Sequence, residues 1–547
     1  MHIIVPMSGV GKRFMDVGYK TPKPLIEIDN MPIIEHVCNL FPDEDKFTFI
    51  CNSKHLKETE MRDVLKRIKP NCQIVEIPCH KKGPVYAVSL LENIDDDEEV
   101  IINYCDFGTY WDYKDFLKHT RDRDADAAIP SYRGFHPHML GDTNYAFMKE
   151  DKQWMLEIKE KEPFTNNRMQ EYASNGTYYF KKGSTVKKYF KKLMDKQIDL
   201  NGEFYVSLVN NLLVQDDLKV SIYEIQHMLQ WGTPEDVYQY NVWSNYFSNA
   251  ISEQEKFEID SNTVTLIPLA GHGSRFKKNG YIDPKPLLDV SGKPMIIQAA
   301  KSLPQSKEYR FIALAEHLRD FPLEEHLIAE YPSCKVIAIE GVTEGQAITC
   351  DRGLEDNDAE SSLLIAATDN GMIYDHKIFK EQKEYKDTDI IIFTFRGHIS
   401  SKTKPEMYGW VDINEQNCAT NISVKKQTSD NPFEDHAIVG TFWFRSIDLF
   451  KYGLKKIIDN NVRINNEFYV DSLVGALIDE GFNARVLEVQ DYICWGTPED
   501  YETFIYWQSY FHKTPTHPYS LEKDITVNPN QIDSLNEKYK KFSQKYN

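Results

Sequence analysis

The chain lacks the devices that hold small secreted or metal-stapled domains together. Its nine cysteines are scattered through 547 residues, with no CxxC pair and no Cys/His cluster at zinc spacing. That argues against a disulfide framework or a structural zinc, and fits buried thiols in a reducing compartment. No apolar run is long enough to span a membrane. No basic stretch followed by an apolar core and a cleavage site precedes the first strand-like run, HIIVP. A cytoplasmic protein without a membrane partner is therefore expected. Cations are in the minority: 64 Lys and Arg face 84 Asp and Glu, a formal charge of −20. Such a surface excludes general nucleic-acid binding but leaves room for a nucleotide held by a few local cations.

What is present is a repeat. Val5–Pro24 reads VPMSGVGKRFMDVGYKTPKP, and Ile267–Pro286 reads IPLAGHGSRFKKNGYIDPKP. Gly9, Gly11, Arg13, Phe14, Gly18, Tyr19, Pro22, Lys23 and Pro24 recur as Gly271, Gly273, Arg275, Phe276, Gly280, Tyr281, Pro284, Lys285 and Pro286, each 262 positions later. Nine identities at one offset within twenty positions mark a tandem duplication. The offset persists through Gly83/Gly345, becomes 263 at Asp106/Asp369 and 264 at Gly176/Gly440. Only small insertions separate the copies.

In each copy an apolar run ends in a small-residue turn with two glycines, where a phosphate or base can approach the backbone. Arg13 and Lys23, and Arg275 and Lys285, bring cations beside it. Arginine grips phosphate oxygens with two prongs, and lysine acts as a point charge. Strand-like and helix-like runs alternate in both halves, which predicts an α/β fold with mostly parallel sheets and ligands beyond the carboxyl ends of the strands. Strands are expected at 2–5, 47–51, 73–77 and 100–104, with helices at 33–40, 56–68 and 85–91. The second half repeats the order. Domains are expected at 1–248 and 262–512, joined by a polar linker at 249–261 and followed by a tail at 513–547 that is solvated or packed as a strap.

The strings GxGxRF and PKPL, then a strand and a small-residue-Pro step (Asn30-Met31-Pro32; Gly292-Lys293-Pro294), resemble the sugar-phosphate nucleotidyltransferases, or nucleotide-sugar pyrophosphorylases. The resemblance spans about 1–245 and 262–510. It implies two tandem Rossmann-like, GT-A-like domains, each a mostly parallel mixed sheet flanked by helices. It also implies transfer of a nucleotidyl group from CTP, UTP or dTTP to a phosphorylated acceptor such as a sugar phosphate, for surface or capsule polysaccharide precursors. Arg13, Lys23, Arg275 and Lys285 would be catalytic. Met7, Ser8, Gly9, Gly11 and Gly83, with Leu269, Ala270, Gly271, Gly273 and Gln346, would bind nucleotide. Lys161, Gly176 and Glu203, with Lys425, Gly440 and Glu467, would face the acceptor.

Asp106 and Asp369 close apolar strands at the ligand edge, where a carboxylate is a natural Mg2+ ligand; a helix cap or turn is the plain alternative. Asp112 and Asp375, six residues on, are either further ligands or caps. The family's later metal carboxylate, two residues before a Gly-Thr step, is missing: Gln230 and Cys494 stand there, in LQWGTPED and ICWGTPED. Asn201–Tyr205 and Asn465–Tyr469 read either as an acceptor-lining element or as a helix start, and Thr-Pro-Glu-Asp as a helix start. The copies differ, since the second has Gln346, where relatives read the base, and Lys293, while the first has Pro84 and Met31. A nucleotide-sensing scaffold and a glycosyltransferase are the rival readings. A homo-oligomer is compatible with the sequence, as is an internal pseudo-dimer.

Overall fold

The opening run His2–Met7 is buried along nearly its whole length, the signature of a strand in the middle of a sheet covered on both faces. In the computed structural model, which describes residues 1–142, 144–251, 259–354 and 359–540, it pairs in parallel with Lys46–Asn52 on one side and Val100–Asn103 on the other. The chain divides into two units. Unit 1 is Met1–Asn249 with Tyr506–Ser520 and Asn536–Asn547, and unit 2 is Ala250–Ile505 with Leu521–Leu535. Residues 252–258 of the expected linker and 541–547 of the expected tail lie outside the described residues.

Unit 1 is built on a ten-stranded mixed sheet. From one edge its order is Gln73–Ile77, Lys46–Asn52, His2–Met7, Val100–Asn103, Thr177–Phe180, Ala127–Tyr132, Val220–Glu224, Trp154–Glu160, Ala146–Asp151 and Tyr172–Ser174. The first four are parallel, and Thr177–Phe180 runs against its neighbours on both sides. Unit 2 follows the same plan: Lys335–Ile339, Ser306–Leu314, Asp260–Leu269, Ser362–Ile365, His436–Phe444, Ile390–Phe395 and Ala484–Glu488, with the hairpin Gly409–Ile413/Ala419–Val424 paired to His436–Phe444. Each sheet is mixed, mainly parallel at its core, with helices on both faces, so the α/β fold expected from alternation is the fold observed. Residues such as Ile4, Ile102 and Val209 in unit 1, and Ile267, Phe311 and Trp410 in unit 2, are at or near complete burial. Each contributes roughly 1.5–3 kcal/mol by leaving water.

One local expectation differs. The single helix predicted over 56–68 is two, Ser53–Glu58 and Met61–Ile68. Thr59 breaks it by turning its hydroxyl back to His55 O (2.7 Å) and then receiving the amide of Met61 (3.3 Å). Of the two alternatives for the C-terminal segment, its described part takes the packed one. In unit 2, Thr526 O accepts from Lys293 Nζ (2.6 Å) and Gln298 Nε2 (2.9 Å), and burial lowers the Lys293 pKa to about 8. In unit 1, Tyr539 OH donates to Gln508 Oε1 (2.5 Å), whose amide nitrogen donates to Tyr519 OH (2.8 Å). Among the described residues no helix is long and apolar enough to cross a membrane.

Candidate active site

The glycine turns do what their residue types allow. Gly11 and Gly273 take left-handed conformations (φ 68° and 61°) and start the short helices Lys12–Asp16 and Ser274–Lys278 that carry Arg13 and Arg275. In front of Gly9 and Gly271 there is open space. Pro22 and Pro284 then redirect the chain into a tight turn that begins with Lys23 and Lys285. A Cβ on Gly273 would stand 3.2 Å from Lys285 Cβ, so the turn and the lysine are packed on one another.

Each lysine meets the strand-end carboxylate. Lys23 Nζ donates to Asp106 Oδ2 at 2.7 Å. Lys285 Nζ donates to Asp369 Oδ2 and, at 2.9 Å, to the Gly496 carbonyl. Burial alone would lower the Lys23 pKa, but Asp106 beside it outweighs that and leaves it raised. A two-stranded ladder closes the site from below. Phe107–Tyr110 pairs with His227–Gln230 in unit 1, and Asn370–Ile373 with Asp491–Cys494 in unit 2. It delivers the Trp-Gly-Thr-Pro-Glu-Asp string to the aspartate: the Trp231 and Trp495 amides donate to Asp106 O (2.9 Å) and Asp369 O (2.8 Å). Thr233 and Thr497 then start the next helix as reciprocal caps with Asp236 and Asp500.

Gly83 and Gly345 are required by a close approach. At φ 81° and 127°, a Cβ on either would stand 2.6 or 2.5 Å from the backbone nitrogen of Phe204 or Phe468. That segment is clamped across the start of the following helix: Phe204 N donates to Lys82 O (3.0 Å) and Val85 N to Phe204 O (3.1 Å), with the same pair of bonds at Phe468. The clamp holds the Asn-x-Glu-Phe-Tyr element beside the nucleotide-side glycine. The element itself is not a helix start. Asn201-Gly202 and Asn465-Asn466 both have positive φ and form a tight reverse turn closed by Leu200/Glu203 and Ile464/Glu467.

Tyr205 and Tyr469, three residues past that turn's tip, tie together the residues expected to face an acceptor. Lys161 Nζ donates to Tyr205 OH and Lys425 Nζ to Tyr469 OH, each at 2.8 Å. Tyr205 OH is in turn bonded to Glu203. Both lysines sit in the left-handed region (φ 58° and 57°), a strain that persists only where surrounding contacts impose it. Replacing Gly345 with alanine forces a Cβ into the Phe468 backbone at a disfavoured φ. The expected result is a loss of about 2–4 kcal/mol in stability, which thermal unfolding checks.

The unit 2 groups border a cleft of about 610 Å3 lined by Arg275, Lys285, Gln346, Asp369, Lys425 and Gly440, together with Lys404, Tyr469, Asp471, Gly496 and Thr497. Leu269, Ala270, Gly271, Gly273 and Glu467 do not line it. The unit 1 cleft is smaller, about 280 Å3, and is bordered by Met7, Ser8, Gly9, Gly11, Lys23, Gly83, Asp106 and Glu203, with His80, Pro84 and Tyr205. Arg13, Lys161 and Gly176 are not on its wall. A Cβ on Gly176 would press on the rings of Phe107 and Tyr104 at 3.1–3.2 Å, so packing accounts for that glycine. In unit 1, Lys82 N donates to His80 Nδ1 (3.1 Å), which leaves Nε2 protonated to donate to Ser8 Oγ (3.1 Å). Ser8 thus keeps its own proton free for a ligand.

Asp112 and Asp375 lie on neither wall. Each caps a helix, Asp112 receiving Asp115 N (3.0 Å) and Asp375 receiving Lys377 N (2.9 Å). The residues that replace the missing carboxylate serve the neighbouring cap. Gln230 Nε2 donates to Asp236 Oδ2 at 2.8 Å, and Cys494 Sγ to Asp500 Oδ2 at 3.5 Å. Burial, reinforced by Asp500 and Asp369, drives the Cys494 pKa far up, so it is a neutral thiol that donates to Asp500. Among the described residues no group of three or more His, Cys, Asp or Glu could hold a metal. Magnesium commonly takes one or two carboxylates and completes its shell with substrate phosphates and water. A single Asp106 or Asp369 on the cleft wall fits an ion that arrives with a triphosphate, not one caged beforehand.

A family model described as nucleotidyl transferase matches residues 3–240. Among solved structures, the chain is similar to a nucleoside-diphosphate-sugar pyrophosphorylase from Vibrio cholerae (20% identity, 44% of this chain and 99% of that one, TM-score 0.37). It is also similar to the inositol-1-phosphate CTP transferase from T. maritima (14%, 46% and 98%, 0.35). A UDP-glucose pyrophosphorylase complexed with UDP-glucose is a further likeness (17%, 47% and 100%, 0.35). None of the curated protein sequences compared with the chain matches it. Residues 3–240, which carry the Gly-x-Gly-x-Arg-Phe turn, Lys23 and Asp106, thus match the nucleotidyl transferase family model.

Proposed function

We propose that the chain transfers a nucleotidyl group from a pyrimidine nucleoside triphosphate (CTP, UTP or dTTP) to the phosphate of a small phosphorylated acceptor such as a sugar phosphate, in surface polysaccharide precursor synthesis. The observation that carries this reading is the lysine ammonium set on a strand-end aspartate in a glycine-turn cleft, found in both units. The acceptor phosphate, anionic at neutral pH, needs no general base. Its oxygen forms a bond to the α-phosphorus as the bond to the bridging oxygen of the β-phosphate breaks, and pyrophosphate leaves in line. Catalysis is then positioning and charge neutralisation. Lys23 or Lys285 supplies positive charge at the α-phosphate, Arg275 meets the leaving pyrophosphate, and Lys425 draws the acceptor phosphate. Mg2+, held by Asp106 or Asp369 together with the phosphates, would neutralise further charge.

The units are not equivalent. Unit 2 has the larger cleft, with Arg275 on its wall and Gln346 where unit 1 has Pro84. We assign the main transfer to unit 2, and to unit 1 a nucleotide site of different preference. Mixing the full chain with each triphosphate, Mg2+ and a panel of phosphorylated acceptors is expected to release pyrophosphate with one pairing, and EDTA to stop it. A triphosphate at about 100 times its Kd should stabilise the chain by about 2.7 kcal/mol. Nucleotide binding with no pyrophosphate from any pairing would instead favour a sensing scaffold.

A further inference from the structure

The wall of the unit 2 cleft carries one carboxyl that the transfer above does not use. Asp471 stands in the first turn of the helix Val470–Asp479 and lines the cleft. It is half-buried, and among the described residues the only protein hydrogen bond to its carboxyl comes from its own backbone amide. The facing strand has given up its side chain to make room: a Cβ on Gly409 would overlap Asp471 Oδ1. Lys425, two residues from Asp471 through Tyr469, is the cation that acts on it.

Unit 1 holds a carboxyl at the same place, delivered from the other side. Ser207 occupies the first turn of Val206–Gln215 and donates to Glu160 Oε2 at 2.5 Å. Glu160 pairs across the hairpin with Ala146, as Val424 pairs with Gly409 in unit 2. Serine with glutamate in one unit is therefore exchanged for aspartate with valine in the other. The difference is satisfaction. Glu160 has a donor and does not border its cleft, whereas Asp471 borders its cleft and has none from another residue. An acceptor on a cleft wall with no donor from another residue is open to one from water or from a ligand in the cleft.

We propose that Asp471 is a specificity-determining residue of unit 2, whose carboxylate accepts a hydrogen bond from a hydroxyl on the carbon skeleton of the phosphorylated acceptor. This rests on the transfer reading above. Lys425 already supplies the positive charge that acts on Asp471, so a hydroxyl donor on a polyhydroxylated skeleton fits the carboxyl better than a second cation on an amine.

The test uses the full chain bearing Lys23→Ala, so that turnover comes from unit 2. Pyrophosphate release is measured with glucose 1-phosphate, its singly deoxygenated analogues, glycerol 3-phosphate and phosphoethanolamine, each against every triphosphate. A hydroxylated acceptor is expected to be best, with one deoxygenated analogue down about 100-fold in kcat/KM. Asp471→Ser should lower the parent acceptor by a similar factor, mostly through KM, and abolish discrimination against that analogue. Asp471→Asn, which keeps an acceptor oxygen, should restore part of both, and thermal unfolding should show both variants folded. Discrimination that survives Asp471→Ser, or a preference for phosphoethanolamine, overturns the assignment. Turnover by the wild type that vanishes in Lys23→Ala also overturns it, because unit 2 then has no acceptor. No release by the wild type with any pairing overturns the transfer reading itself, and this assignment with it.

Discussion

Replacing Lys285 with alanine is expected to lower kcat/KM for pyrophosphate release by about 1000-fold, close to the loss seen when one preorganised donor is removed from a charge-stabilising site, roughly 4 kcal/mol. Stability should move far less. Lys285 and Asp369 are each partly exposed to the cleft (17% and 30% of their side chains), so water relieves much of the charge left behind, and a cost below about 1 kcal/mol is expected. A large kinetic loss beside a small shift in unfolding separates a functional ammonium from a structural ion pair. Arginine is no substitute, because a planar fork does not place its charge where the compact ammonium reaches both Asp369 Oδ2 and the Gly496 carbonyl. Lys285→Arg is expected to remain about 100-fold impaired. Lys23→Ala tests unit 1 alone, and together the two variants apportion turnover between the units. Undiminished pyrophosphate release in the double variant would remove both lysines from the mechanism.

Much of this was legible in the residues. The four parallel strands of each half were readable because their apolar runs are continuous and bounded by turns, and the helices Ile33–Asn39 and Met295–Lys301 follow a Pro that sets their start. Other elements were hidden. The hairpin strand Ala146–Asp151 has one buried half and one exposed, charged half, so it has no clean period. The helix expected over 56–68 kept its apolar spacing through Thr59, and only the hydroxyl bond to His55 shows the break. The Asn-Gly pair at 201–202 is a reverse-turn signal that the following Glu and Tyr disguised as a helix start.

The site was legible in its residue types and hidden in its contacts. Lys23 and Asp106 were each named, but a bond across 83 residues has no local signature. Gly83 reads as a nucleotide glycine, while its backbone is demanded by Phe204. Tyr205 and Tyr469 were visible only as motif letters, because a lysine 44 residues earlier gives each its role. Asp471 had one available signal, its mismatch with Ser207, and that has meaning only beside the exchange of Glu160 for Val424.

Acidification is expected to destabilise unit 1 in two stages. His136, His138 and His227 are enclosed by aromatic rings, with Tyr132 at 4.5 Å from His136 and Tyr506 at 4.8 Å from His227. Burial lowers the pKa of all three, that of His136 to about 3, so the folded unit keeps them neutral while the unfolded chain protonates them below about pH 6.5. The unfolded state then binds more protons and stability falls as pH falls, by about 1.4 kcal/mol per pH unit for each such group. Two carboxyls act the other way. Burial raises Glu160 to about 7 and Asp236 to about 6, so the folded unit takes up their protons first. Between about pH 6 and 4.5 they offset part of the histidines' effect. Below about pH 4.5 the unfolded carboxyls protonate as well, the offset ends, and the loss of stability steepens. Buried Lys513, lowered to about 7, extends a one-proton slope of the same sign from about pH 10 down to neutrality. Hydrogen exchange of unit 1 amides, followed by mass spectrometry between pH 8 and 4, reads this profile without assuming two-state unfolding of the whole chain. Glu160→Gln should steepen the loss between pH 6 and 4.5, and His136→Phe should flatten it below that range. A profile unchanged by both would mean that these groups meet water in the folded unit and do not set its acid stability.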